Sequence, residues 1–499
     1  MNSDSDSSKS DRPNILLITT DQQRFDTVGR HAPELLRTPH LDLLGREGAT
    51  FDRAYAESAL CVPSRISIMT GRSVVSHGVI GNDPSSSVMG REDTLPSVMR
   101  GAGYQTVGVG KMHFTPERAR HGFDEMILPA DYYRWMDRQG ETALRPMRHG
   151  VGQNEMYPTM ATVPESLTLT SWIAEQCVEY IGHRRDPTVP FFMWTSFTKP
   201  HPPLDPPEPY YSMYDPQEVP GPVYGDWSVP EKVPPGFRYG QVRNGYDAVP
   251  ESVYREAKAA YFGLITHVDY VIGRIFAALQ NAGLLDDTLV LFASDHGEYL
   301  GDHGAASKAF FHDVSARVPM ILRLPKSADP DISGVVVDNV VTHSDILETL
   351  ATVAGVEAPE GTDGQDLVAL ARGELDDPRQ YIVGTTGISY IARTGFPPFL
   401  GITDGHHKYI WYPEGGIEQF FDLEADPKEL TDLSEHHDFT EDKERLRGLL
   451  MQDLSKRAPQ WLDGDQLPCV EPIGESDAYI RRQGWSGFTG EHGPTDTRH

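Results

Sequence analysis

Cys61, Pro63, Ser64 and Arg65 stand together in the run CVPSRISIMTGR (Cys61 to Arg72), and their types and spacing suit chemistry on an anion. The run reads as a tight turn entering a helix. Pro63 fits a first turn, Ser64 can cap, Ile66 to Met69 bury one face, and Gly71 ends the helix. Cys61 is thereby expected just ahead of a helix N-terminus, where unpaired backbone N–H groups favour an anion. Arg65, one turn in, could fork onto a tetrahedral oxyanion. The competing reading makes Cys61 a small buried hydrophobe before an ordinary helix.

Other reactive groups recur at one kind of place. The buried-strand run Asn14 to Thr19 (NILLIT) stops at Asp21 and Gln22. The run from Gln105 to Val109 stops at Lys111, Met112 and His113. Phe191 to Phe197 leads to Lys199, Pro200 and His201, and Thr288 to Ala293 leads to Asp295, His296 and Gly297. Ligands of open α/β sheets bind at the carboxyl ends of the strands, so these four strand ends are expected to meet at one edge. Asp21, Gln22, Asp295 and His296 form a candidate metal set, although an Asp after a strand is also a common turn residue.

Elements that would position these groups follow from periodicity. Apolar residues at i, i+3 and i+4 predict a helix from about Val253 to Asn281, stopped by Gly283. A second amphipathic helix is predicted over Val341 to Ala354, with GTDGQDL after it as a loop. Alternation of helices with buried strands predicts an α/β sandwich. A dozen prolines between Pro200 and Pro235 exclude regular structure there and predict an ordered loop over the site, or else a packing excursion. Beyond Ala371, short runs such as Tyr381 to Val383 and Lys408 to Tyr412 predict a small antiparallel sheet, followed by a charged helix over Asp442 to Lys456 and an irregular tail. The expected division is a disordered N-terminus (1–11), a catalytic α/β domain (12–370) and a C-terminal subdomain (371–499).

Composition narrows the class. The chain has 499 residues, 38% hydrophobic and 23% charged, ordinary for a globular protein with a large core. Its formal charge is 44 − 73 = −29, which repels nucleic acid and anionic membranes and keeps the chain soluble. Three cysteines (Cys61, Cys177, Cys469) are too few for a disulfide framework. MNSDSDSSKSDR has no apolar segment of signal-peptide type, and no run of 18 apolar residues occurs, so the expectation is a cytoplasmic protein with no membrane partner, or a periplasmic or secreted one if a leader was removed.

Cys-x-Pro-Ser-Arg followed by Thr-Gly-Arg resembles the signature of the type I sulfatases, within the alkaline-phosphatase superfamily. GKMHF (Gly110 to Phe114), DHGEYLGDHG (Asp295 to Gly304) with Ser307-Lys308, SARVP (Ser315 to Pro319) and the segment WYPEGGIEQFFDLEADPKEL also look like family motifs, so the resemblance runs from about Asn14 to about Leu433. It implies an alkaline-phosphatase-like α/β/α sandwich with a smaller C-terminal sheet. It also implies that Cys61 is oxidised by a formylglycine-generating maturation enzyme to formylglycine, whose hydrated aldehyde is the nucleophile.

The same resemblance assigns roles. Asp21, Gln22, Asp295 and His296, with the group at position 61, would hold one divalent cation. Gln22 and His296 depart from the family's commonest ligands and resemble the choline-sulfatase and phosphonate-monoester-hydrolase branches. The nitrogen ligand moves preference towards Mn²⁺ or Mg²⁺, with Ca²⁺ still narrowly first. Arg65, Lys111 and Lys308 would neutralise the sulfate oxygens and His113 would orient the diol. His201 or Lys308 would protonate the leaving alkoxide, His201 being preferred for its neutral-range pKa. His312 and Asp313, where many relatives have Tyr-Glu, carry no assigned role. The expected activity is hydrolysis of a small sulfate monoester; the alternatives are a phosphonate monoester or phosphodiester hydrolase, and a binding protein whose Cys61 is never converted.

Overall fold

The computed structural model describes residues 12–82, 93–138, 147–242, 244–328, 331–387 and 395–474. The expected disordered N-terminus (1–11) and most of the irregular tail lie outside the described residues. Eight strands form the main sheet: β1 (Asn14–Asp21), β2 (Ala49–Tyr55), β3 (Gln105–Gly110), β4 (Glu125–Ile127), β5 (Phe191–Pro200), β6 (Thr288–Ser294), β7 (Met320–Arg323) and β8 (Val335–Thr342). Their order is β4-β3-β5-β1-β6-β7-β2-β8. Every pairing is parallel except those of β7 with β6 and β2.

Central β1 shows why the sequence folds this way. Its run is apolar throughout because both faces are covered. Ile15 and Leu17 enter one core with Phe192 and Trp194 of β5, beneath helix Cys61–Thr70 and helix Asp345–Val353. Leu16 and Ile18 enter the opposite core with Phe191 and Met193, under helix Leu169–Glu179 and helix Glu251–Asn281. This is the α/β sandwich expected from the alternation, with helices on both faces as the family resemblance implies. Glu251–Asn281 is long and apolar enough to cross a membrane by composition, but two-thirds of its apolar window is buried inside this protein.

The four strand runs that end in reactive groups are β1, β3, β5 and β6, and in the sheet they are consecutive, β3-β5-β1-β6. Two local expectations change. Val341 and Thr342 belong to β8, and the helix there begins only at Asp345, whose carboxylate takes the Thr342 amide at 2.8 Å. Helix Leu367–Arg372 crosses the expected domain boundary at residue 370, with Asp366 capping it.

Beyond it, β9 (Ile382–Thr385), β10 (Leu400–Thr403), β11 (His407–Tyr412) and β12 (Ile417–Asp422) form an antiparallel sheet in the order β12-β11-β10-β9, backed by helix Thr440–Arg457. Lys408 of β11 is fully buried, with Nζ 2.5 Å from Asp313 and 2.7 Å from Glu429. Asp313 opens the short segment whose Val314 and Ser315 carbonyls accept the Glu298 and Gly297 amides at 2.8 and 2.7 Å. The small sheet therefore buttresses the backbone that follows His296. The approach is so close that a Cβ on Gly297 would lie 2.1 Å from the Val314 carbonyl oxygen, so only glycine fits there.

Glu57, in the loop leading to Cys61, is buried, with its carboxylate accepting the Val74 amide at 2.8 Å. Burial pushes its pKa up to about 7. A carboxyl whose folded pKa is raised favours the folded state fully below the unfolded value, and that contribution is lost as pH rises through the folded value. Wild-type stability should therefore fall between about pH 4.5 and 7 on account of this group. Glu57→Gln is expected to be more stable than wild type at pH 8, by roughly 3 kcal/mol, with the gap closing below pH 4.5. Urea unfolding of both proteins across that range reads the difference; a constant gap would mean that Glu57 is not the titrating group.

Candidate functional site

Cys61 is the first residue of its helix rather than the residue before it. Leu60 precedes it in extended conformation, Gly71 closes the helix at φ 64°, and Ser64 does not cap but donates to the Ser58 carbonyl at 2.7 Å. The Cys61 side chain thus lies within the first turn, where the helix N-terminus favours negative charge. Its Sγ is 3.2 Å from His296 Nε2, 3.5 Å from Lys308 Nζ, 3.7 Å from Asp21 Oδ1 and 3.8 Å from Lys111 Nζ. Burial and Asp21 raise the thiol pKa, but Lys111, Lys308 and His296 together bring it well below the ordinary thiol range. Four separate strand or loop ends therefore meet on one sulfur.

The ligand atoms of Asp21, Cys61, Asp295 and His296 all lie within 4.8 Å of one another, and all four residues are buried. His296 donates from Nδ1 to the Gly297 carbonyl at 3.0 Å, so Nε2 is the ring nitrogen that faces the carboxylates and would bind a metal. Burial opposes charge on the ring, but Asp295 raises its pKa, so a cation would displace a proton there. Lys111 pairs with Asp21 at 2.5 Å and, with His201, Lys308 and Arg65, overcomes its burial to hold that carboxyl well below its usual range. Asp295 is shifted the other way, by burial and by Asp21. Carboxylates crowded in this way fit a cation among them. Gln22 stands at the edge of the set: its backbone N–H donates to Asp295 at 3.0 Å, and its side-chain oxygen accepts from Lys308 at 2.6 Å.

Arg65 does not face open space, contrary to the expectation that it forks onto an oxyanion. It is fully buried, with Nε donating to Asp295 at 3.0 Å, Nη2 3.4 Å from Asp21, and Nη1 donating to the Ser196 hydroxyl at 2.8 Å and to the Lys111 carbonyl. Its fork braces the carboxylates instead. Among the described residues, Lys111, itself paired with Asp21, and Lys308, which donates to Gln22, are the lysines beside Cys61 that can also meet a substrate anion.

His113, at φ 63°, hydrogen-bonds to Cys61, while burial and Lys111 lower its pKa. His201 is held against β1, its amide donating to the Asp21 carbonyl at 3.0 Å and Nδ1 donating to the Pro202 carbonyl at 2.7 Å. Burial, then Lys308, pull its pKa well below the ordinary imidazole value. The neutral-range pKa that made His201 the preferred proton donor is therefore lacking. Its Nε2 is an acceptor in this state.

Three contributors had no role assigned from the sequence, Lys199 being named there only as a strand-end charge. Ser196 anchors Arg65, and Lys199 ties the turn bearing His201 by reaching Pro203 O and Asp205, at 2.6 and 2.5 Å. Glu298, 1% exposed, receives the Gln22 side-chain amide. Ser196 had no signal, whereas Lys199 stood at a strand end and Glu298 is an acid two residues past His296 inside the DHGE motif. His312 and Asp313 belong to the interface with the small sheet, His312 stacking on Trp227 at 4.6 Å.

Comparison with known proteins agrees with this geometry. The family description "Sulfatase" matches residues 13–356, and "N-sulphoglucosamine sulphohydrolase, C-terminal" matches residues 301–456. An arylsulfatase of Clostridium perfringens is 34% identical over 93% of this chain and 98% of its own length. A choline-sulfatase of Rhizobium meliloti is 31% identical over 85% and 83%. Among solved structures, the phosphonate monoester hydrolase of Agrobacterium radiobacter superposes with a TM-score of 0.75 at 26% identity, covering 90% of this chain and 96% of that one.

Proposed function

We propose that this chain, which belongs to the sulfatase family of the alkaline-phosphatase superfamily and is a sulfuric ester hydrolase, cleaves a small sulfate monoester with a nucleophile made from Cys61. The observation that carries the reading is the convergence on the Cys61 side chain of two lysines, an imidazole and a carboxylate at a helix N-terminus. Position 61 would be converted to formylglycine by a maturation enzyme, supplying a hydroxyl nucleophile in place of the thiol. Asp21, Asp295 and His296, with Gln22 at the edge and position 61 itself, would hold one divalent cation. That ion would supply Lewis-acid polarisation of a sulfate oxygen. An imidazole nitrogen aimed among the carboxylates supports Mn²⁺ against Ca²⁺, the ion placed first from the sequence.

The chain's own residues then have distinct tasks. Lys111 and Lys308 offset the charge of the sulfate oxygens, and Arg65 keeps Asp21 and Asp295 in place. His113 orients the group at position 61. Protonation of the leaving oxygen passes from His201 to Lys308, because burial and Lys308 disfavour a charged His201 while Lys308 Nζ stands 3.5 Å from Cys61 Sγ.

An aryl alcohol leaves as its anion, whereas an alkyl alkoxide needs a proton in the transition state. Lys308→Ala is accordingly expected to cost about 10²–10⁴-fold more on an alkyl sulfate than on nitrophenyl sulfate, and His201→Ala to lower both alike. The opposite pattern in kcat/KM would return the proton to His201.

A phosphonate monoester or phosphodiester hydrolase is the second reading, favoured by the likeness to the Agrobacterium structure. Rates of the matured protein on nitrophenyl sulfate and on a nitrophenyl phosphonate ester decide between them. A kcat/KM higher on the phosphonate would overturn the sulfatase reading.

A further inference from the structure

Glu298 lies outside the cluster around Cys61 yet touches Gln22 at its edge, and through Gln22 it reaches Lys308. Its Oε2 accepts the side-chain Nε2–H of Gln22, its Oε1 accepts the Leu300 amide at 2.9 Å, and the Ser307 amide also donates to the carboxylate. The far end of the same Gln22 amide, Oε1, accepts from Lys308 Nζ at 2.6 Å. Three residues in this small web, Gln22 (φ 70°), Leu300 (φ 47°) and Ser307 (φ 66°), hold left-handed backbone without being glycine, so contacts must hold them there.

The two ends of a glutamine amide have nearly the same shape and opposite hydrogen-bonding character. Burial raises the Glu298 pKa while these three donors lower it; the Leu300 and Ser307 amides can only donate, and the ionised group can only accept. It therefore forces the Gln22 nitrogen towards itself and the oxygen away, towards Lys308 and the carboxylates. Without it, the amide could turn over and aim two N–H groups at the Lys308 ammonium.

We propose that Glu298 is a positioning residue, fixing which end of the Gln22 amide faces the site and, through Leu300 and Ser307, where Lys308 stands. The inference rests on the proposed cation site only for its effect on metal affinity. The placement of Lys308 is independent of it.

Glu298→Gln, Gln22→Glu and the double exchange form the test. The exchange puts the acceptor at position 22 and the donor at position 298, restoring the pair with its direction reversed. Two readouts are taken on unmatured protein: Mn²⁺ affinity by calorimetry, and the rate at which acetic anhydride modifies Lys308, followed by mass spectrometry.

Glu298→Gln should weaken Mn²⁺ binding roughly tenfold or more and speed Lys308 acetylation by a similar factor, as expected from a lost charged hydrogen bond. The double exchange should recover most of both. If wild type binds no Mn²⁺ but Lys308 acetylation still rises in Glu298→Gln and falls again in the exchange, the cation reading fails and the Glu298 assignment stands. If Lys308 acetylation is unchanged in Glu298→Gln, or the exchange recovers neither readout while thermal midpoints fall alike, the assignment is overturned and Glu298 only stabilises the fold.

Discussion

Cys61→Ala is expected to lower sulfate ester hydrolysis by about 10⁴-fold or more, while the protein keeps its fold. The nucleophile is lost outright, and the flanking lysines and carboxylates can no longer act on a covalent step. Structural damage should be slight. The side chain is small and buried at 2% exposure, so its removal leaves a cavity costing on the order of 1 kcal/mol. A thermal midpoint close to wild type, with turnover at background, would match this expectation. Substantial residual turnover in Cys61→Ala would place the nucleophile elsewhere.

Asp295 carries the second large effect. Its Oδ1 takes the Gln22 backbone N–H and its Oδ2 the Arg65 fork, so the carboxylate both faces the cluster and fixes two neighbours. Truncation to alanine would strand a fully buried guanidinium, and breaking a buried pair costs about 3–5 kcal/mol. Asp295→Asn is the cleaner variant, since it keeps the shape and one oxygen. It should lose divalent-cation affinity by about 100-fold or more and activity with it, because a carboxylate supplies the site's charge. Elemental analysis of purified Asp295→Asn reads the metal directly. Full occupancy in that variant would remove Asp295 from the ligand set.

Much of this site could be read before any coordinates. Asp21, Lys111, His201 and His296 each follow an apolar run, and buried parallel strands place such ends along one edge. Period and punctuation also located helix Glu251–Asn281 and the antiparallel sheet of β9 to β12.

Side-chain direction was not readable in the same way. Arg65 looked free to meet an anion because nothing local to it pairs with it, yet its partner Asp295 is 230 residues away. Glu298 and Gln22 are 276 residues apart. His201 looked suited to proton donation from its type alone, whereas burial and then Lys308 lower its pKa in the fold. Strand ends follow from local pattern; hydrogen-bond partners across the sheet edge follow only from packing.

The buried ion cluster of Lys408, Asp313 and Glu429 shows the same limit. Lys408 sits in a run that reads as a strand, and a lysine there suggests an exposed edge. In the fold it is fully buried and joins the small sheet to the segment pairing with Gly297 and Glu298. The C-terminal sheet thereby belongs to the support of the site.

Everything in the proposed chemistry depends on what stands at position 61. Mass spectrometry of the tryptic peptide Ala54 to Arg65, AYAESALCVPSR, in protein produced with a maturation system, measures it directly. The account predicts a peptide lighter by about 18 Da, the change from thiol to aldehyde, in a fraction that tracks specific activity from one preparation to the next. A fully active preparation whose peptide carries only the unmodified thiol would contradict it.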